Sequence, residues 1–124
     1  MAKAVGIGGV FLKSRDPQGL SQWYAEHLGV PAEGSGMLFF DGPASMGRTV
    51  FAHFPADTKY FGDARQQAMV NFRVDNLDAL LDQLARAGVH IDPHRESYDY
   101  GSFAWIRDPE GNRVELWEPK TPSQ

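Results

Sequence analysis

The chain has no cysteine in its 124 residues, which excludes disulfides, thiolate nucleophiles and cysteine-ligated metals. It has no apolar run approaching the roughly 20 residues that cross a bilayer. The opening MAKAVGIGGVFLKSRD is apolar over too short a stretch and lacks a small-residue cleavage pattern, so it reads as a strand rather than a secretory signal. A basic excess is also missing. The 12 Lys and Arg stand against 16 Asp and Glu, net charge −4, with no electrostatic footprint for nucleic acid. A cytoplasmic protein with neither a nucleic-acid nor a membrane partner is therefore expected. No serine lies in a nucleophile elbow. Gly6-Ile7-Gly8-Gly9 falls inside a strand and opens no helix, so it reads poorly as a phosphate loop, and Gly8 and Gly9 either permit close strand contact or leave volume free beside the strand.

What is present is an ordinary globular balance, 42% hydrophobic and 23% charged, long enough to bury a core as one domain over 1–124. The chain also repeats itself. GGVFLKSRDPQGLSQWYAEHLGV at 8–30 and MVNFRVDNLDALLDQLARAGV at 69–89 share one order: apolar strand, turn with Asp, amphipathic helix, then Gly-Val. RTVFAHFP at 48–55 likewise resembles NRVELWEP at 112–119. The repeat divides the domain into module one at about 4–56, a linker at about 57–67 and module two at about 68–119.

In the first helix Leu20, Trp23, Tyr24, His27 and Leu28 follow the i, i+3, i+4, i+7, i+8 spacing. In the second, Leu77, Leu80, Leu81, Leu84 and Ala85 do the same. Each spacing predicts an apolar stripe facing a sheet, with His27 a packing residue. Asp16-Pro17 is an N-cap and N1 pair, Asp75 or Asn76 caps the second helix, and Gly29 and Gly88 end the two helices. Strands are expected near 4–13, 36–41, 48–54, 68–74, 90–94, 102–107 and 112–118, with a short one near 30–33. Asp108-Pro109-Glu110-Gly111-Asn112 makes a hairpin turn between the last two.

Taken together, the WYAEHLGV helix end, VDNLDALLDQLARAGV at 74–89 and DPEGNRVELWEP at 108–119 resemble the vicinal oxygen chelate superfamily of glyoxalases, bleomycin resistance proteins and dioxygenases. The resemblance implies an α+β fold. Two tandem βαβββ modules would form an open, cup-shaped mixed sheet of eight strands with helices packed outside, often in a homodimer. It also implies a divalent metal held at four equivalent strand positions, which here carry Gly9, Phe51, Met69 and Glu115. Only Glu115 among these is a competent ligand, and one carboxylate does not hold a divalent ion.

Strand alternation then nominates the ligand-binding residues. If Val114 and Leu116 face the helix layer, Glu115 faces the cup, with a salt bridge to Arg73 or Arg113 as its plain structural alternative. His53 shares a face with Phe51, and Asn71 with Met69. With Phe11, Phe103, Trp105 and Trp117 they complete an expected polar and aromatic lining. Of Phe39 and Phe40, one is expected in the core and the other in the cup. His90 and His94 flank Pro93 in an edge or loop setting and are expected to face solvent. The expected function is a small-molecule binder of the glyoxalase and bleomycin-resistance type with a degenerate metal site and no cofactor. The alternative is a divalent-metal-dependent lyase, isomerase or dioxygenase using a displaced His53 and Glu115 site. In a metal-free variant of that alternative, Glu115 or His53 acts as the catalytic proton-transfer group.

Overall fold

The computed structural model describes residues 1–31, 38–41 and 48–120. Among these the fold is α+β, with seven strands and two helices. In chain order they are β1 (Ala4–Ser14), α1 (Pro17–Leu28), β2 (Leu38–Asp41), β3 (Arg48–Pro55), β4 (Ala68–Val74), α2 (Leu77–Arg86), β5 (Ile91–Tyr98), β6 (Gly101–Arg107) and β7 (Arg113–Pro119). No described helix is long and apolar enough to cross a membrane. The chain forms two compact units, Gly8–Val70 and Met1–Ile7 with Asn71–Gln124, called here the first and second unit.

In the first unit β2 pairs antiparallel with β3, and β3 pairs parallel with β1, so Leu12 stands opposite His53. The Asp16 side chain accepts from Gly19 N, and Gly29 ends α1 in the left-handed region at φ 67°. Tyr24 of α1 packs on β3, its ring centroid 4.8 Å from Phe51 and 5.5 Å from His53. The other face of these strands holds Phe11 against Phe54, which also touches Tyr60 and the fully buried Phe61.

The apolar stripe expected on α1 is not a buried stripe. Trp23 is 49% and Leu28 64% exposed, His27 is exposed, and the one buried residue of the helix is Ser21. The spacing was right for one helical face, but the small Ser21 is what lets the backbone approach β3. The stripe is rotated outward, and His27 rests on Trp23 rather than in a core. Phe40 is also half-exposed rather than buried.

In the second unit β4 pairs parallel with β7, and the β7–β6 and β6–β5 pairs are antiparallel. Neither row of strands closes on itself. Asn76, not Asp75, caps α2 by accepting from Ala79 N, while Leu77 N donates to Glu118 Oε1 at 2.6 Å. Val74, Leu77, Leu81, Ala104 and Leu116 form the core beneath α2, with Val114 and Ile106 packed against it. Each buried Leu there contributes on the order of 1.5–3 kcal/mol. The β6–β7 turn is tied by Asp108, whose Oδ1 accepts from the backbone N–H of Glu110 and of Asn112, both at 2.9 Å.

β5 runs to Tyr98, beyond the expected end at 94. Pro93 does not stop it, because an edge strand can spare one N–H and the pairing carries a register irregularity between Ile91 and Arg95. Of the short strand expected near 30–33, Val30 and Pro31 are not strand, and the rest lies outside the described residues, as do positions 36 and 37.

Candidate functional site

Period-two alternation divides each strand of the second unit between two chemistries. On β7, Val114 and Leu116 lie under α2, and Glu115 turns to the opposite face. The register sets Asn71 of β4 and Trp105 of β6 directly beside Glu115. All three are at most 2% exposed. Glu115 Oε1 accepts from Asn71 Nδ2 at 2.6 Å, and Oε2 accepts from Trp105 Nε1 at 2.9 Å. A buried carboxylate is tolerated only with such partners. Trp105 in turn touches the Arg113 guanidinium at 5.1 Å and the His94 ring at 5.5 Å. Arg113 is fixed by Asp92 at 2.7 Å.

Two residues beyond Glu115, Trp117 lies parallel to Phe103 with centroids 6.0 Å apart. The indole crosses the backbone at Gly101, where any Cβ would collide with its Nε1. The buried Arg73 donates to Ile7 O at 2.8 Å. Among the described residues, Asn71 Oδ1 and Trp117 Nε1 on this face are buried without a hydrogen-bond partner.

A further set on the β5 edge escaped sequence reasoning. His94 Nε2 pairs with Glu96 Oε2 at 2.8 Å, and Tyr98 OH donates to the other Glu96 oxygen. The signal is there, since 94, 96 and 98 alternate along a strand, but the expected strand ends at 94. The hydrogen bonds from Tyr98 and then His94 hold the Glu96 carboxyl below its ordinary range, and the same bond raises the Tyr98 phenol. The bond from His94 N, followed by that from Arg113, lowers Asp92.

Of the residues nominated from sequence, Asn71, Trp105 and Glu115 are joined by hydrogen bonds, with Phe103 and Trp117 on the same strands. Phe11, Phe51, His53 and Met69 belong to the first unit. There, Phe51 and His53 do not face away from the helix layer as expected but pack under α1. His53 Nδ1 meets Ser21 Oγ at 2.7 Å and its ring stacks on Tyr24. Register explains the correction, because a single-residue difference in the assumed facing exchanges every side chain between faces. Burial lowers the His53 pKa, and its Nε2 is buried without a partner among the described residues. Two clefts open in the first unit, of about 500 Å³ along Ser14–Tyr24 and about 460 Å³ around Lys13 and Ala56–Ala64, and neither is lined by nominated residues.

The family model of the Glyoxalase/Bleomycin resistance protein/Dioxygenase superfamily matches residues 6–116. The chain belongs to this superfamily. No curated protein matches it by sequence. Among solved structures, methylmalonyl-CoA epimerase from Streptomyces coelicolor in complex with 2-nitronate-propionyl-CoA is similar with a TM-score of 0.74 at 14% identity, covering 96% of this chain and 100% of that one. The Mycobacterium tuberculosis methylmalonyl-CoA epimerase gives 0.68 at 20% identity, covering 95% and 90%. A structure described as NAD-dependent benzaldehyde dehydrogenase from Legionella pneumophila gives 0.61 at 17%, covering 90% and 98%. At these identities the likeness is one of fold.

The donor set does not fit the divalent metal that the superfamily implies. Of the positions that the resemblance implied, Gly9, Phe51 and Met69 carry no competent ligand, and Phe51 packs under α1 instead of sharing the facing of Glu115. Among the described residues no three His, Cys, Asp or Glu side chains are grouped to share an ion. Both Glu115 oxygens are already engaged by N–H donors, which leaves the carboxylate oriented as a hydrogen-bonding group.

Proposed function

We propose that this superfamily member binds a small, largely planar organic molecule, without a divalent metal, on the face of the second unit that carries Glu115. The observation that carries the reading is the Asn71–Glu115–Trp105 set, a buried, oriented polar group beside the stacked Phe103 and Trp117. A few fixed polar groups among aromatic side chains are the usual composition of a ligand site. The α2 side of the same strands, by contrast, is packed with apolar side chains, Phe72 among the aliphatic ones, and carries no such polar set among its described residues.

Thermal shift against a panel of planar neutral and cationic compounds tests the proposal. Ligand at 100 times Kd stabilises by about 2.7 kcal/mol, a readable shift. Stabilisation by a planar compound, lost in Glu115→Leu, is the expected result. Stabilisation by Ni²⁺, Mn²⁺ or Zn²⁺ and by no organic compound would reverse it.

The protein is further proposed to be a homodimer, on the support of the exposed Trp23 and Leu28 of α1. Light scattering coupled to size exclusion checks this, and a monomer at high concentration removes it.

A further inference from the structure

Asp16, Leu20, Trp23 and His27 follow the spacing i, i+4, i+7, i+11, the alternating four and three of a coiled-coil seam. At about 100° per residue the four lie in one narrow strip along α1, about a third of a turn from the buried Ser21 that meets β3. This strip is the part of the helix that turns outward. Trp23 is 49% exposed, and Asp16 and His27 are exposed at its two ends. Leu20, half-buried, lines the cleft of about 500 Å³ along Ser14–Tyr24. Gly19 beside it puts no side chain in the way of a second helix.

The strip complements itself when reversed. With two copies of α1 antiparallel, a single register sets Leu20 opposite Trp23 of the second copy and Asp16 opposite its His27, and the two-fold axis repeats both pairs. A parallel arrangement instead sets Asp16 against Asp16 and His27 against His27. The polar ends are equipped for the antiparallel pairing. Asp16 Oδ1 accepts from Gly19 N as the helix cap, and Oδ2 has no partner among the described residues. The His27 ring lies 5.0 Å from that of Trp23 and makes no hydrogen bond among the described residues. The cleft beside Leu20 is wide enough for one indole, and an exposed Trp23 next to it supplies one from the other copy.

Building on the dimer reading above, we infer that two copies of this chain pair through antiparallel α1 helices. Trp23 of each is seated on Leu20 of the other, and His27 of each donates to Asp16 Oδ2 of the other. The large apolar side chains are the centre of the contact and the charged pairs its two ends, the arrangement in which a few central aromatic residues carry most of the binding.

The native chain has no cysteine, so introduced cysteines report contacts between copies directly. Asp16→Cys and His27→Cys, mixed and oxidised, are expected to join in a mixed disulfide. Each variant alone holds its two like cysteines about 16 Å apart and is expected to cross-link at least tenfold more slowly. Sedimentation equilibrium supplies a second measurement. Trp23→Ala, with its fold checked by circular dichroism, is expected to weaken the dimer about tenfold or more. If a variant in one experiment does not fold, the other experiment decides. A native dimer that Trp23→Ala leaves unchanged, or that cross-links as fast through Asp16→Cys alone as in the mixture, overturns this pairing and leaves the dimer reading standing. A native monomer at high concentration removes both.

Discussion

Replacing Glu115 in two ways measures whether its hydrogen bonds, rather than its bulk, hold this face together. Glutamine keeps the shape and offers one acceptor and one NH₂ group. Its carbonyl can take the Trp105 N–H, while Asn71 turns its amide over and accepts from the new NH₂ through Oδ1. Both bonds of the native set survive in neutral form. The change from charged to neutral bonds costs about 1 kcal/mol each, and the cheaper burial of a neutral amide offsets part of that. Glu115→Gln should therefore lose about 1 kcal/mol. Leucine fills similar volume but leaves Asn71 Nδ2 and Trp105 Nε1 with no acceptor, at roughly 1–3 kcal/mol each. Relief of the buried carboxylate offsets some of this, leaving a net loss of about 3 kcal/mol. Urea unfolding followed by tryptophan fluorescence resolves the two. With a slope of about 1–3 kcal/mol/M, the leucine variant should unfold on the order of 1 M earlier than the glutamine variant. A leucine variant as stable as the glutamine one would refute the idea that a committed polar network sits here.

Three other outcomes follow from the same geometry. Burial depresses the His53 pKa in the folded state, so the unfolded chain binds the extra proton first. Stability should fall as pH drops below 6.5 toward the lower folded value, and urea midpoints measured across that range should flatten in His53→Phe. Leu77→Ala, at a position 1% exposed on the buried face of α2, should cost about 3 kcal/mol by chemical denaturation. Gly101→Val should displace the Trp117 indole and shift its fluorescence while leaving β7 paired, which amide exchange can check.

The aliphatic half of the second unit was legible in the sequence because two periodicities agreed there. Leu77, Leu81 and Leu84 follow the helical spacing, and Val114 and Leu116 alternate on the strand, so α2 had one face to bury and one place to bury it. The turning of Glu115 away from α2 followed from that alternation. The first unit was harder to read. Helical spacing groups Trp23, Tyr24 and Leu28 on one side of α1, but it does not say which side meets the strands. Ser21 settles that by permitting close approach, and no hydropathy pattern reports it. The facing of Phe51 and His53 was lost with it. The His94, Glu96 and Tyr98 set was hidden because the expected strand stopped at 94, and the polar run after Pro93 carries no apolar alternation to extend it.

The first residues of the chain have obligations far away in sequence. Ala2 exchanges hydrogen bonds with the Gln83 side chain, Lys3 does so with Asp75, and Ile7 O receives Arg73. During synthesis these residues leave the ribosome before their partners are made, so this stretch must stay available until the later half emerges. A stretch cut from 71 onward would lack its own opening seam. Separate expression of the later half should therefore succeed only when the first seven residues are supplied with it.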